Sequence, residues 1–234
     1  MLKRKLIILI VFFVSVLSIN YVYSLEVSDN LIGKIIYIDP GHGGADPGAV
    51  YKNVEEAAIN LIVSKKLKEN LENLGASVYI TREGDYDLSS TTINRKKSDL
   101  YNRINLINKS NCDVYISIHI NAESSSLWYG AQTFYYPANK RNIVLAKYIQ
   151  KSLIDNTSSK REVSRINDTL MYTNIKVPGV LIELGFITNY QDRLKLNNND
   201  YQNNLVSAIS SGLIEYFKSW IIAIYLTIFS AIFI

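Results

Sequence analysis

The 234-residue chain carries 25 basic and 21 acidic side chains, a net charge of +4 and a single cysteine, Cys112. A near-balanced charge with no basic block interleaved with aromatics points away from nucleic acid, and one cysteine excludes an intramolecular disulfide. The length suits one sizeable domain with a full core better than two small ones.

Hydrophobic residues make up 48% of the chain, and the excess lies at the two ends. Met1–Lys5 is basic, and Leu6 to Ile19 is apolar apart from Ser15 and Ser18. These are the n- and h-regions of a secretory signal, with Val22 and Ser24 small enough for cleavage after Ser24. The competing reading is an uncleaved anchor, because Leu6 to Tyr23 is at the margin for crossing a bilayer. Residues 1–24 are therefore expected to be a signal peptide or anchor, and 25–33 a linker. Loss of Lys3, Arg4 and Lys5 would take the net charge from +4 to +1.

From there strands and helices alternate. Lys34–Asp39 reads as a strand and Val54–Leu74 as a helix, with Ile59, Ile62, Val63, Leu67, Leu71 and Leu74 on one face and Gly75 as its stop. Ala76–Thr81 is a strand, Gly84–Thr92 a polar loop and Arg95–Lys109 a helix with Leu100, Ile104 and Ile107 on one side. Cys112, just before the next strand, reads as a small buried apolar residue. Asp113–Ile118 and Ala131–Tyr136 are strands and Asn142–Ile154 a helix, followed by the polar stretch Asp155–Asp168. Thr169–Tyr172 reads as a short strand and Gly179–Glu183 as a buried one, and the helices Tyr190–Leu196 and Tyr201–Phe217 close the domain. Continuous apolar strands separated by helices predict a single α/β domain over 34–218, with a twisted, mainly parallel sheet covered by helices on both faces. The two polar segments, 84–92 and 155–168, are candidate rims for substrate or partner.

The chemistry gathers at strand ends. The chain has two histidines: His42 follows the first strand in "IIYIDPGHGG" (35–44), and His119 closes "YISIHINA" (115–122). Glu183 ends the strand in "GVLIELGF" (179–186), and Glu56 opens the helix after the His42 loop. Open α/β sheets bind ligands beyond the carboxyl ends of their strands, so topology brings two imidazoles and two carboxylates to one edge. Two histidines and a carboxylate are the ligand set of a catalytic zinc site. A second, non-ligating carboxylate would accept a proton. Gly41, Gly43 and Gly44 let the chain turn sharply and bring backbone close to metal and substrate.

Four segments, "IDPGHGGADPGAV" (38–50), "VEEAAINL" (54–61), "DVYISIHINA" (113–122) and "GVLIELGFITN" (179–189), resemble in order and spacing the zinc-dependent N-acetylmuramoyl-L-alanine amidases of type 3. The resemblance implies His42, Glu56 and His119 as zinc ligands and Glu183 as the catalytic glutamate. Glu55 competes with Glu56, but the family's glutamate lies five residues before a leucine, which selects Glu56 through Leu61. Thr81-Arg82 and Asn102-Arg103 also occupy family positions and carry no chemical role in this reading. The short form is most like the spore-cortex, germination-specific amidases, which implies export and action at the cell wall or the outer face of the cytoplasmic membrane. The implied partners are the peptidoglycan glycan strand with its stem peptide and a regulatory or activating protein. Two alternatives compete: a non-catalytic peptidoglycan-binding domain of the same fold, and a zinc peptidase acting on the stem peptide. The apolar segment 219–234 lies beyond the resemblance; it is too short to span a bilayer as a helix and is expected either to contact the membrane interface or to be the product of a read-through reading frame.

Overall fold

The computed structural model describes residues 30–167 and 169–220, the backbone of 221–233, and at the N-terminus only Arg4, Ile10 and 12–14. The expected signal and linker therefore lie almost wholly outside the described residues. Leu31–Tyr216 forms one compact unit; Met1–Asn30 and Phe217–Ile234 form another. Among the described residues, no helix is long and apolar enough to cross a membrane.

The larger unit is built on a six-stranded sheet with the order β4-β1-β5-β8-β6-β7. Its strands are β1 (Ile35–Pro40), β4 (Ser77–Ile80), β5 (Val114–Asn121), β6 (Gln132–Tyr135), β7 (Ser164–Arg165) and β8 (Gly179–Phe186). The pairs β1–β4, β1–β5 and β5–β8 are parallel; β6 pairs antiparallel with β8 and β7 parallel with β6, so these two edge strands run opposite to the other four. In β5, five successive residues from Val114 to Ile118 are buried, so both faces of the sheet are covered.

The flanking helices are α1 (Glu56–Asn73), α2 (Arg95–Lys109), α3 (Lys140–Asn156), α4 (Leu170–Asn174), α5 (Tyr190–Leu196) and α6 (Asn199–Phe233). The apolar spacing of α1 seats Ile59, Val63, Leu67 and Leu71 against the sheet, each nearly or wholly buried. Leu145, Ile149 and Leu153 do the same for α3. Burying each such side chain contributes about 1.5–3 kcal/mol. Helix α1 stops at Leu74, and Gly75 takes the left-handed φ of 90° that ends the turn. Cys112 is free and buried, and burial pushes its thiol pKa up, away from reactivity.

The chain departs from the sequence expectation in four places. Val54 and Glu55 do not begin α1; they form β3 (Val54–Glu55), a two-residue strand antiparallel to β2 (Val50–Tyr51). Local pairing overrides helical periodicity there, because Lys52 and Asn53 take left-handed conformations that close a tight turn. The 169–172 stretch is helical, not a strand: Thr173 and Ile175 donate to the Thr169 and Met171 carbonyls, and Met171 is buried against the core that holds Ile104 and Ile107. Within the polar 155–168 segment, Ser164 and Arg165 pair with Phe134 and Tyr135 as a two-residue edge strand. Finally, the last helix does not end at Phe217; its backbone runs on to Phe233.

Candidate metal centre and active site

The loop after β1 is fastened to the sheet and to α1 by backbone bonds. Gly41 N–H donates to the Ile118 carbonyl at 2.9 Å, which ties the loop to β5. Helix α1 has no side-chain cap; its first N–H groups, from Glu56 and Ala57, donate instead to the Ala49 and Pro47 carbonyls at 2.9 and 3.0 Å. Those donors would otherwise be orphans of the helix end. The loop that carries His42 thus also caps the helix that carries Glu56.

Two glycines are required by contact. A Cβ on Gly41 would lie 2.2 Å from the His119 ring, and one on Gly48 would lie 2.6 Å from Glu56 Oε2 and 2.7 Å from the His42 ring. Gly41 is present for close approach, whereas Gly48 also needs its φ of 68°. His42 itself sits at φ 62°, a conformation that side chains other than glycine seldom take.

His42, Glu56 and His119 come together. One ligand atom from each lies within 4.8 Å of the others. Glu56 Oε1 is 3.2 Å from His42 Nε2 and 2.9 Å from His119 Nδ1. The two rings stand edge to face, 5.0 Å between centroids. Zinc–ligand bonds of about 2.1 Å in a tetrahedron place neighbouring ligand atoms roughly 3.4 Å apart. The donor types and spacings therefore fit a zinc ion. Glu55 lies in the exposed hairpin strand, outside the cluster.

The cluster has its own supports. His42 Nδ1–H donates to Asp46 Oδ2 at 2.9 Å, leaving Nε2 free as an electron-pair donor. Asp46 Oδ1 accepts from Gly48 N–H. Glu56 is 4% exposed, and both of its oxygens are bonded. Oε2 accepts from Ala49 N–H, and Oε1 accepts from Ile120 N–H and Asn60 Nδ2. Burial alone would raise the Glu56 pKa, but the two imidazoles and their hydrogen bonds outweigh it and hold the carboxyl far below the usual range. His42 is raised: Glu56 and then Asp46 overcome the opposing effect of burial.

Glu183 is placed differently. It pairs in register with His119 across β5 and β8, which sets it beside the cluster. Its Oε2 is sealed from solvent and has no hydrogen-bond partner. Burial, with a smaller contribution from the Glu56 charge, raises its pKa to about 8.

Residues 36–215 match the sequence model of the N-acetylmuramoyl-L-alanine amidases. The chain belongs to that family. It is 42% identical over 194 residues to the germination-specific N-acetylmuramoyl-L-alanine amidase of Bacillus subtilis, covering 80% of this chain and 81% of that one. Among solved structures it is similar to the CwlD amidase of Clostridioides difficile in complex with the GerS lipoprotein, with a TM-score of 0.76, 37% identity, and 80% and 100% of the two chains covered. It is also similar to an N-acetylmuramoyl-L-alanine amidase from Clostridium difficile 630, with a TM-score of 0.72, 30% identity, and 80% and 97% covered. The chain is accordingly an amidase of the cell-wall class, a hydrolase.

Sequence reasoning missed Asp46 and Asn60 as supports of the ligand set. Asp46 had one usable signal, a carboxylate four residues beyond His42 in a loop of small residues. Asn60 had the corresponding one, a polar residue one turn after Glu56 on the buried face of α1.

Proposed function

We propose that this amidase is zinc-dependent and cleaves the amide between the lactyl group of N-acetylmuramic acid and L-alanine of the stem peptide. In this reading His42, Glu56 and His119 hold the metal, and Glu183 handles the protons. The observation that carries it is a His–Glu–His cluster beside a carboxylate with one oxygen sealed and without a partner, at the carboxyl edge of a parallel sheet.

Zinc, when bound, supplies a Lewis acid that polarises the scissile carbonyl and acidifies an attacking water. The chain's own groups do the rest. Glu56 contributes a negative charge that burial alone would not allow. Asp46 fixes the His42 ring so that one nitrogen faces the ligand set. Glu183, with a pKa raised to about 8, accepts the proton of the attacking water and returns it to the leaving amine of L-alanine.

The substrate is peptidoglycan, as the family implies. The similarity to a germination-specific amidase supports action in the spore cortex, and that to a lipoprotein-bound amidase supports a regulatory protein partner. Residues 1–24 act as signal or anchor and 34–218 as the catalytic domain in an exported protein. The apolar segment 219–234 contacts the membrane; truncation after Lys218 is expected to leave amidase activity unchanged and to lower the membrane-bound fraction. The central test is mass spectrometry of digested sacculi. Stem peptides beginning in L-alanine, lost on chelation and restored by zinc, are the expected products. Shortened stem peptides would indicate a peptidase, and unchanged sacculi a binding domain.

A further inference from the structure

Arg82 and Arg103 are the largest fully buried side chains of the described residues, each 1% exposed. Neither donates to a side chain of the metal-ligand cluster. Their donors go instead to three consecutive carbonyls of the loop that carries His42. Arg82 Nε donates to the Pro40 carbonyl at 3.1 Å, and its Nη2 to the Gly41 carbonyl at 2.9 Å. Arg103 Nη1 donates to the Pro40 carbonyl and Nη2 to the His42 carbonyl, both at 2.7 Å.

Each guanidinium is fixed from behind. Arg103 Nη1 also binds Asp39 Oδ1, and its Nε binds Asp99 Oδ2, both at 2.8 Å. Asp39 is in turn bonded by Thr81 and Ser117. Arg82 Nη1 reaches the Gly84 carbonyl, and Nη2 reaches Ala57 at 2.8 Å as well as Gly41. A single nitrogen therefore bridges the His42 loop and the first turn of α1, next to Glu56.

We infer that Arg82 and Arg103 are positioning residues that set the metal site before any metal enters. Arg103 holds His42 in its left-handed conformation through the carbonyls on either side of Gly41. Arg82 sets the spacing between the His42 loop and Glu56. This rests on the reading of His42, Glu56 and His119 as ligands and adds what orients two of them. Only a planar fork with five donors can serve several carbonyls at once; an ammonium has a single donor centre. The charge pairing with Asp39 and Asp99 survives Arg103→Lys, but the fork does not.

The test measures zinc affinity of the full chain by competition with a chromophoric chelator, alongside circular dichroism and kinetics on muropeptides. Arg82→Lys and Arg103→Lys are expected to fold, to lose about 10–100-fold in zinc affinity, and to lose kcat at saturating zinc with KM little changed. In Arg82→Ala and Arg103→Ala, guanidinium well below denaturing concentrations is expected to restore zinc affinity, and ammonium at the same ionic strength is not. Folded lysine variants with wild-type zinc affinity would overturn the clamp. So would an affinity loss that merely follows the unfolded fraction. If the lysine variants do not fold, alanine variants that guanidinium fails to rescue would overturn it equally. A wild-type protein that binds no zinc would overturn the ligand assignment itself, which separates the two outcomes.

Discussion

Glu56 and Glu183 are two glutamates at one sheet edge with opposite environments. Glu56 has both oxygens bonded to backbone and side-chain donors, with two imidazoles against it, and stays anionic. Glu183 has one oxygen sealed without a donor, and its pKa rises to about 8. Glu56 is buried and Glu183 only half-buried, yet the less buried carboxyl has the raised pKa, so burial does not distinguish them. The difference lies in the donors the fold brings: the loop after β1 and helix α1 serve Glu56, and nothing serves Glu183 Oε2. Carboxylates pushed apart in this way divide into a fixed charge and a proton carrier.

Glu183→Gln tests that division most severely. Steady-state hydrolysis of muropeptides should fall by about 10²–10⁴-fold in kcat, while zinc affinity stays near wild type. Near wild-type turnover would remove Glu183 from proton transfer. Glu56→Gln should do the reverse: chelator competition should show zinc affinity weakened by at least about 100-fold, because the anionic ligand is gone and the donors around it remain.

A third measurement separates the two residues by pH, without activity. With Glu183 raised from 4.5 to about 8, the unfolded chain ionises first as pH rises, so metal-free protein loses stability across that interval. Below 4.5 the group is neutral in both states and costs nothing. Metal-free Glu183→Gln should therefore match wild type at pH 4 and exceed it by up to about 4 kcal/mol near pH 8, read from urea titrations. Equal stability at both pH values would show that the carboxyl is solvated.

The smallest effect belongs to the support of a ligand. Asp46→Asn keeps an acceptor oxygen near His42 Nδ1 but loses the negative charge, and it should cost about tenfold in zinc affinity, measured as above. An unchanged affinity would mean that the His42 ring is oriented by the loop alone.

Much of this was legible in the chain. Continuous apolar strands separated by helical periods announced a parallel sheet with both faces covered. His42, His119 and Glu183 stood out because each followed an apolar run, where a polar residue must be paired or used. Local features that depend on pairing were not legible: Val54 and Glu55 look helical until Val50 and Tyr51 lie opposite them. Met171 looks like strand until it meets a core that prefers a helix turn.

The members of the candidate metal cluster were named from the sequence: His42 and His119 by their place after apolar strands, and Glu56 over Glu55 through the family resemblance; the fold brings the three together. Only the tertiary structure decided which glutamate is charged and which is held near neutral pH. It also gave Arg82 and Arg103 a purpose, because their partners are carbonyls of Pro40, Gly41, His42 and Ala57. A carbonyl is the same in every residue, so no sequence pattern marks the one that a distant guanidinium will hold.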